Sequence, residues 1–482
     1  MNLLRYRSLM PVVWSAMFVL FAGAAALLDQ LVLLLVPFFV LTAYEGWVRP
    51  RTVLLLLLIT LPFSVEVQVS KSLSMDLPDE AIMIFLAFIV TGYLIYDPTL
   101  LPPQLLRHPL FLLLVMAVFW TLVSALFAAD IQIAMKFLLA KCWYLLAFLI
   151  APLVFLRNEF HIRQAARLFL FSLAIVVLIV LCRHALRGFS FASVNEAVAP
   201  FFRNHVNYSA MLACSLPMVI AIGQLQKKRK RWLTGLALVI ILAGLYFGFS
   251  RGAWLAVIAA AASWWLIRHR LMLVSFVLAV VVSAGFILWL RSGENYLRFA
   301  PDYQRTIFHP DFAEHLRATY RGRDISTAER FHRWVAGARM IPDRPLTGVG
   351  PNSFYYHYQE YALPVFRTWV SENPERSTVH NYFLLLAIEQ GLPALIIFLL
   401  LTAAVWYYAE KLYHRIRNRF YRTLAITAGT IFSVVITLNL LSDLIETDKV
   451  GSFFFFCIAM LIIADLQSRG ESDTSSHIKR VA

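Results

Sequence analysis

Three short stretches put polar residues beside long apolar runs: FFRNHVNYSA at 201–210, FSRGAWLA at 249–256 and TVHNYFLLLAIEQGLPA at 378–394. The last carries an imidazole, His380, then Asn381 at the head of an apolar run and Glu389 two turns deeper. An imidazole titrates near pH ~6.5, so it can take a proton from an attacking hydroxyl or simply bond a helix end. Glu389 at that depth is either a partner for a buried cation or part of the chemistry. In the second stretch Arg251 sits in a tight turn, where it either snorkels to an interface or aims a planar, permanently charged fork at an anion. In the first, Arg203, Asn204, His205 and Asn207 are costly to bury unpartnered, so they cap a helix and solvate a loop, or they meet a polar ligand. Lys136 and Lys141, in KFLLAKC, are two more cations within an apolar run. They either snorkel outward or line the same cavity as the arginines.

Between the second and third stretches, residues 291–379 hold twelve Arg and no Lys against ten Asp plus Glu, although Lys occurs elsewhere in the chain. A guanidinium binds phosphate through two parallel bonds, so this bias favours recognition of an anion over mere solubility. Arg330 is the candidate within it. No GxxxxGK[ST] loop, HExxH or paired CxxC is present. The four cysteines lie in apolar runs without ligand spacing, and GVG at 348–350 reads as a turn. No metal or cofactor is therefore expected.

The elements that must carry these residues are membrane helices. The chain has 482 residues, 60% of them hydrophobic and 15% charged, more apolar surface than a soluble core can hide. Fourteen apolar runs near span length are placed at 12–28, 31–48, 52–69, 80–96, 109–128, 134–155, 168–186, 205–225, 232–249, 253–267, 271–290, 380–408, 423–441 and 450–466. The first reads as an uncleaved span. The net charge of +15 comes mostly from short loops on one side, KKRKR at 227–231 among them, so it sets orientation and does not point to nucleic acid. The fold class is an all-α polytopic bundle of about 12–14 spans. Residues 1–290 form its N-terminal helices, 291–379 an external region, 380–466 its C-terminal helices and 467–482 an inner tail. Within the external region a capping-box start at Ser326 opens a helix that Pro342 ends, with Arg330, His332 and Arg333 placed away from its apolar stripe.

Taken together, RNHVNYSA, SRGAW, the AERFHRWVAGARMIPDRPLTGVGPNSF block and HNYFLLLAIEQGLP resemble the bacterial O-antigen ligase and O-antigen polymerase superfamily, over roughly residues 200–405. The resemblance implies a GT-C-like, multi-pass inner-membrane glycosyltransferase, inverting and free of metal or nucleotide, acting at the periplasmic face. The donor it implies is an undecaprenyl-diphosphate-linked glycan, and the acceptor is lipid A-core or another glycan. It assigns the arginines of the matching motifs to the diphosphate and His380 to the acceptor; the reading of the residues themselves adds Asn381, Arg203, Arg330, Lys136 and Lys141 around the substrate, with Glu389 and His205 in support. The family commonly has about a dozen spans, against the fourteen counted. Its motifs do not distinguish a ligase from a repeat-unit polymerase. A flippase for lipid-linked oligosaccharide would also need cations in a membrane cavity, but neither paired halves nor a cationic track across the inner half is visible.

Overall fold

The computed structural model describes residues 15–17, 19–21, 35–70, 73–300, 325–368, 371–373 and 376–481. The span expected at 12–28 lies almost entirely outside them. The first described helices, α1 (Leu35–Val48) and α2 (Pro50–Thr60), meet at a bend of 109°. Pro50 at the start of α2 and the non-helical backbone of Arg49 break the path between them.

The span expected at 52–69 is corrected. After Leu61–Phe63 the chain leaves the helix for a hairpin, β1 (Val65–Ser70) antiparallel to β2 (Leu73–Leu77). Val65 and Val67 alternate with Glu66 and Gln68, which is a strand period written inside an apolar stretch.

From there the chain is a helical bundle: α3 (Asp79–Tyr96), α4 (Pro109–Leu126), α5 (Ile131–Leu145, running on through a π-helical turn to Phe155), α6 (Glu159–Ala185), α7 (His205–Leu225), α8 (Arg231–Phe247), α9 (Arg251–Arg268) and α10 (Met272–Arg291). Helix α11 (Ile325–Met340) and the single turn α12 (Phe354–His357) follow. The chain then returns as α13 (Tyr382–Glu389), α14 (Gly391–Arg415), α15 (Arg419–Asn439) and α16 (Asp448–Val481). Among the described residues nine helices are long and apolar enough to cross a membrane, or ten with the bent pair counted as one span. Neither α8, one residue shorter than the shortest of them, nor α9, with arginine at both ends, is among the nine.

The bundle has a centre and a rim. Of the most apolar window of α16, 83% is buried, and of α15 and α7 72% and 67%, whereas none of α10's is, so α10 lies at the rim and touches the bundle through Phe276 against Trp406. Asn204, Ser250, Asn381 and Asn418 cap α7, α9, α13 and α15 through side-chain oxygens that accept backbone N–H groups. Three of these caps belong to the stretches singled out in the sequence; the capping reading of Asn204 holds, and Asn381, expected at the substrate, also caps a helix.

The single span expected at 380–408 is also corrected. It breaks at Gln390 into α13 and α14, with Gly391 at φ +79°. The turn at 348–350 fits into the break. Val349 N–H donates to Ile388 O (3.0 Å), Gly350 N–H to Glu389 O (2.9 Å) and Leu392 N–H to Pro345 O (2.8 Å). Backbone groups released by a broken helix inside a bundle need such partners. Opposite, α4 supplies Thr121, whose hydroxyl donates to Gln390 Oε1 (2.8 Å), and Ser124, whose hydroxyl donates to Thr347 O (2.7 Å).

Candidate functional site

His380 stands where the stretch carrying α11 and α12 meets α13, with its backbone in the left-handed region at φ +53°. A residue with a β-carbon rarely adopts that conformation unless its surroundings impose it. Helix α11 supplies the constraint. Arg333 donates to Thr378 O (3.4 Å) and the Trp334 indole N–H to Val379 O (2.9 Å), fixing the two carbonyls before His380. On the other side Asn381 caps α13 through Leu384 N–H (3.0 Å) and donates to Leu440 O (3.1 Å). The imidazole Nδ1 then lies 3.8 Å from Asp443 Oδ1, and its side chain remains 33% exposed, open to a substrate. Thr378 donates its hydroxyl to Asp443 Oδ2 (2.7 Å). Burial pushes the Asp443 carboxyl up, but the nearby imidazole and the Thr378 hydroxyl outweigh it and hold the group below the ordinary carboxylate range. An ionised Asp443 can therefore orient the ring through Nδ1 and leave Nε2 for an incoming proton.

Glu389 ends α13 fully inside the protein. It accepts Asn352 N–H (2.8 Å) and Phe354 N–H (3.0 Å), so it anchors the start of α12 to the helix break. Its partners are backbone donors of the turn, not a buried cation, and its geometry is that of a support.

The arginines divide into two kinds. Arg251, the first residue of α9, reaches across to α11, where Nη2 donates to Ser326 Oγ (3.4 Å). Its guanidinium and the N-terminal dipole of α9 favour an anion at the same place. Arg330, one helical turn after Ser326, shares that face of α11. Arg333 and Trp334 lie two turns further on, so α11 joins the Arg251 contact to the support of His380 over about 10–12 Å at ~1.5 Å per residue.

The expected outward placement of His332 and Arg333 is wrong. Both are buried, as is Glu329, which pairs with Arg333 (3.3 Å). Glu329 also accepts the Ser371 hydroxyl (2.7 Å) and that of Thr368. A carboxylate with three partners gives α11 a polar buried face that the apolar periodicity does not register. Burial correspondingly lowers the His332 pKa.

The remaining candidates fall around this centre. Lys141 donates to Glu446 (3.0 Å) and to Tyr382 Oη (3.4 Å), and Tyr382, two residues past His380, donates to the same Glu446 oxygen (2.7 Å). Lys141 thus faces inward, at the first turn of α13. Lys136 is exposed and lies near Glu80, so the two lysines part company. His205 bonds Asn195 Oδ1 through its Nδ1 (2.8 Å) and its backbone N–H (3.0 Å), an arrangement that closes the loop before α7. Arg203 is exposed. Its neighbour Phe201 offers a carbonyl to Lys449, whose Nζ also donates to Ser64 O (3.0 Å).

Asp443 and Thr378 are the residues the sequence reading did not select. The sequence shows Asp443 as an acid in an external loop, but its pairing with His380 depends on how α13 and α15 meet. Among the described residues no group of three or more His, Cys, Asp or Glu side chains is placed to hold a metal ion.

Residues 236–399 match the family model described as O-antigen ligase. The match spans Arg251, α11, His380 and Glu389, and stops short of Asp443 and Glu446. No curated protein matches the chain.

Proposed function

We propose that the chain, which matches the O-antigen ligase family model over residues 236–399, belongs to the O-antigen ligase/polymerase superfamily of bacterial inner-membrane glycosyltransferases and that it is an O-antigen ligase. It moves a glycan from undecaprenyl diphosphate to a hydroxyl of lipid A-core at the periplasmic face, with inversion and without a metal. The acceptor oxygen attacks the anomeric carbon and the bond from that carbon to the diphosphate oxygen breaks. The diphosphate leaves with the electron pair, and the acceptor's proton passes to Nε2 of His380. Asp443 holds the imidazole and stabilises its charged form, while Arg251 and Arg330, with Arg203 at the approach, meet the diphosphate. Lys141, with Glu446 and Tyr382, shapes the floor, and Asn381 fixes the helix end. Lys136 and His205 take no part in the transfer. In this topology residues 291–379 face the periplasm.

The observation that carries this reading is the exposed imidazole beside an ionised carboxylate, clamped by the same helix that receives Arg251. Analysis of lipid-linked glycans in a strain lacking the gene tests it. A ligase leaves full-length polymer on undecaprenyl diphosphate and no O-antigen on lipid A-core. Accumulation of single repeat units would make the protein a polymerase, and units trapped on the cytoplasmic face a flippase.

A further inference from the structure

At the end of the bundle away from His380, α9, α14 and α15 surround an open cleft of about 540 Å³ lined by two arginines, two histidines and three aromatic rings. It lies beside the last turn of α9, about 20–26 Å along that helix from Arg251 at ~1.5 Å per residue, so it is no part of the transfer site. No carboxylate lines it. Nearby charges are already matched, since Arg415 pairs with Asp465 and Glu410 accepts Met272 N–H (3.0 Å). Among the described residues neither Arg268 nor Arg422 has an ion-pair partner, although Arg268 lies over the Trp264 ring at 4.4 Å and Arg422 near Tyr413 at 6.0 Å. A guanidinium laid flat on a ring keeps its edge N–H donors free for an anion. The His414 ring, bonded through Nε2 to Ile267 O (3.0 Å), and the tilted ring pair Trp265 and His269 (4.5 Å) give the cleft fixed walls.

We propose that this cleft binds the phosphodiester headgroup of an anionic phospholipid. The occupant follows from the cleft's surroundings. Trp264 and Trp265 are exposed at the end of an apolar helix, the level at which indoles meet headgroups. Beside them Leu271, Leu273 and Val274, at the start of the rim helix α10, are exposed as well. Acyl chains would lie along that face, for which a soluble phosphate has no use. Basic pockets between membrane helices are a recurrent means of holding acidic lipids.

The test is native mass spectrometry of the full chain in neutral detergent, with phosphatidylglycerol and phosphatidylcholine of identical acyl chains as probes. The wild type should bind the anionic lipid at least about tenfold tighter, and Arg268→Gln/Arg422→Gln should reduce that preference to within about twofold. Arg229→Gln/Arg231→Gln, the same loss of charge in the 227–231 run, should leave it intact. Both arginines of the cleft are exposed, so the variant is expected to keep the wild-type melting temperature in phosphatidylcholine micelles. An undiminished preference in the cleft variant, or an equal loss in the control, would overturn the site. Displacement of the lipid by millimolar sodium phosphate would overturn the lipid as occupant.

Discussion

His380 adopts a backbone conformation that costs a residue with a β-carbon about 1–3 kcal/mol, and the bonds to residues 378 and 379 from α11 hold it there. Its type and position at the head of α13 were legible in the sequence, as were Asn381 and Arg251. Its partner Asp443 was not, because nothing in the spacing of the two residues foretells that the ends of α13 and α15 converge. If Arg251 grips the leaving diphosphate through a two-point contact, Arg251→Lys keeps the charge and loses the fork. Turnover should fall by roughly 10²-fold, the scale of one lost oxyanion donor, with melting temperature and membrane level unchanged. Full activity in the lysine variant would reduce Arg251 to a point charge. A second residue gives a pH signature. Burial, then the charge of Asp448, pushes the Asp76 carboxyl up to about 6 from an ordinary 3.8, with Lys449 offsetting part of the shift. The folded chain therefore holds a proton that the unfolded chain gives up, and this group's contribution to stability declines as pH rises from about 4 to 6. Asp76→Asn should raise the melting temperature at pH 7.5 and leave it unchanged below pH 4. An equal gain at both values would exclude titration of Asp76 as the cause.

Among the elements, the broken helix of α13 and α14 is the feature that hydropathy hides most completely. An apolar run from 382 to 401 reads as continuous, and only EQG interrupts it. The structure turns those three residues into a socket for the 345–350 turn, so GVG is more than a connection between elements. Gly391 shows how tight the fit is. A β-carbon there would come within 2.0 Å of Leu346 O, at a φ of +79° that L side chains avoid. Gly391→Ala should lower the melting temperature, with a cost of about 1–3 kcal/mol from the backbone alone, and should weaken transfer by displacing the turn that Glu389 anchors. Gly285→Ala, where a β-carbon meets nothing within 4 Å, is the control and should be neutral. Helix α11 carries the opposite lesson. Its end before Pro342 followed from the sequence, but Ser326, expected to open it, lies within the helix after Ile325, and its buried face holds Glu329, His332 and Arg333, whose mutual satisfaction no periodicity can report.

At the scale of the whole molecule, the bundle class followed directly from composition, and the polar stretches at 201–210, 249–256 and 378–394 all lie at starts of helices. What composition could not supply was the number of crossings, because a bent pair, a hairpin with strand alternation and a broken helix each occupy an apolar run of span length. The architecture brings His380 and Arg251 to one helix, α11, and the central claim is that the first takes the acceptor's proton while the second meets the diphosphate. The measurement that tests it most directly is transfer by the purified protein in proteoliposomes, supplied with undecaprenyl-diphosphate-linked glycan and lipid A-core and assayed with and without EDTA across the imidazole titration range. The wild type should transfer glycan equally in EDTA and lose activity as pH falls through that range. His380→Gln should be slower by about 10²- to 10⁴-fold at every pH while still binding donor. Transfer by His380→Gln at near the wild-type rate would contradict the account.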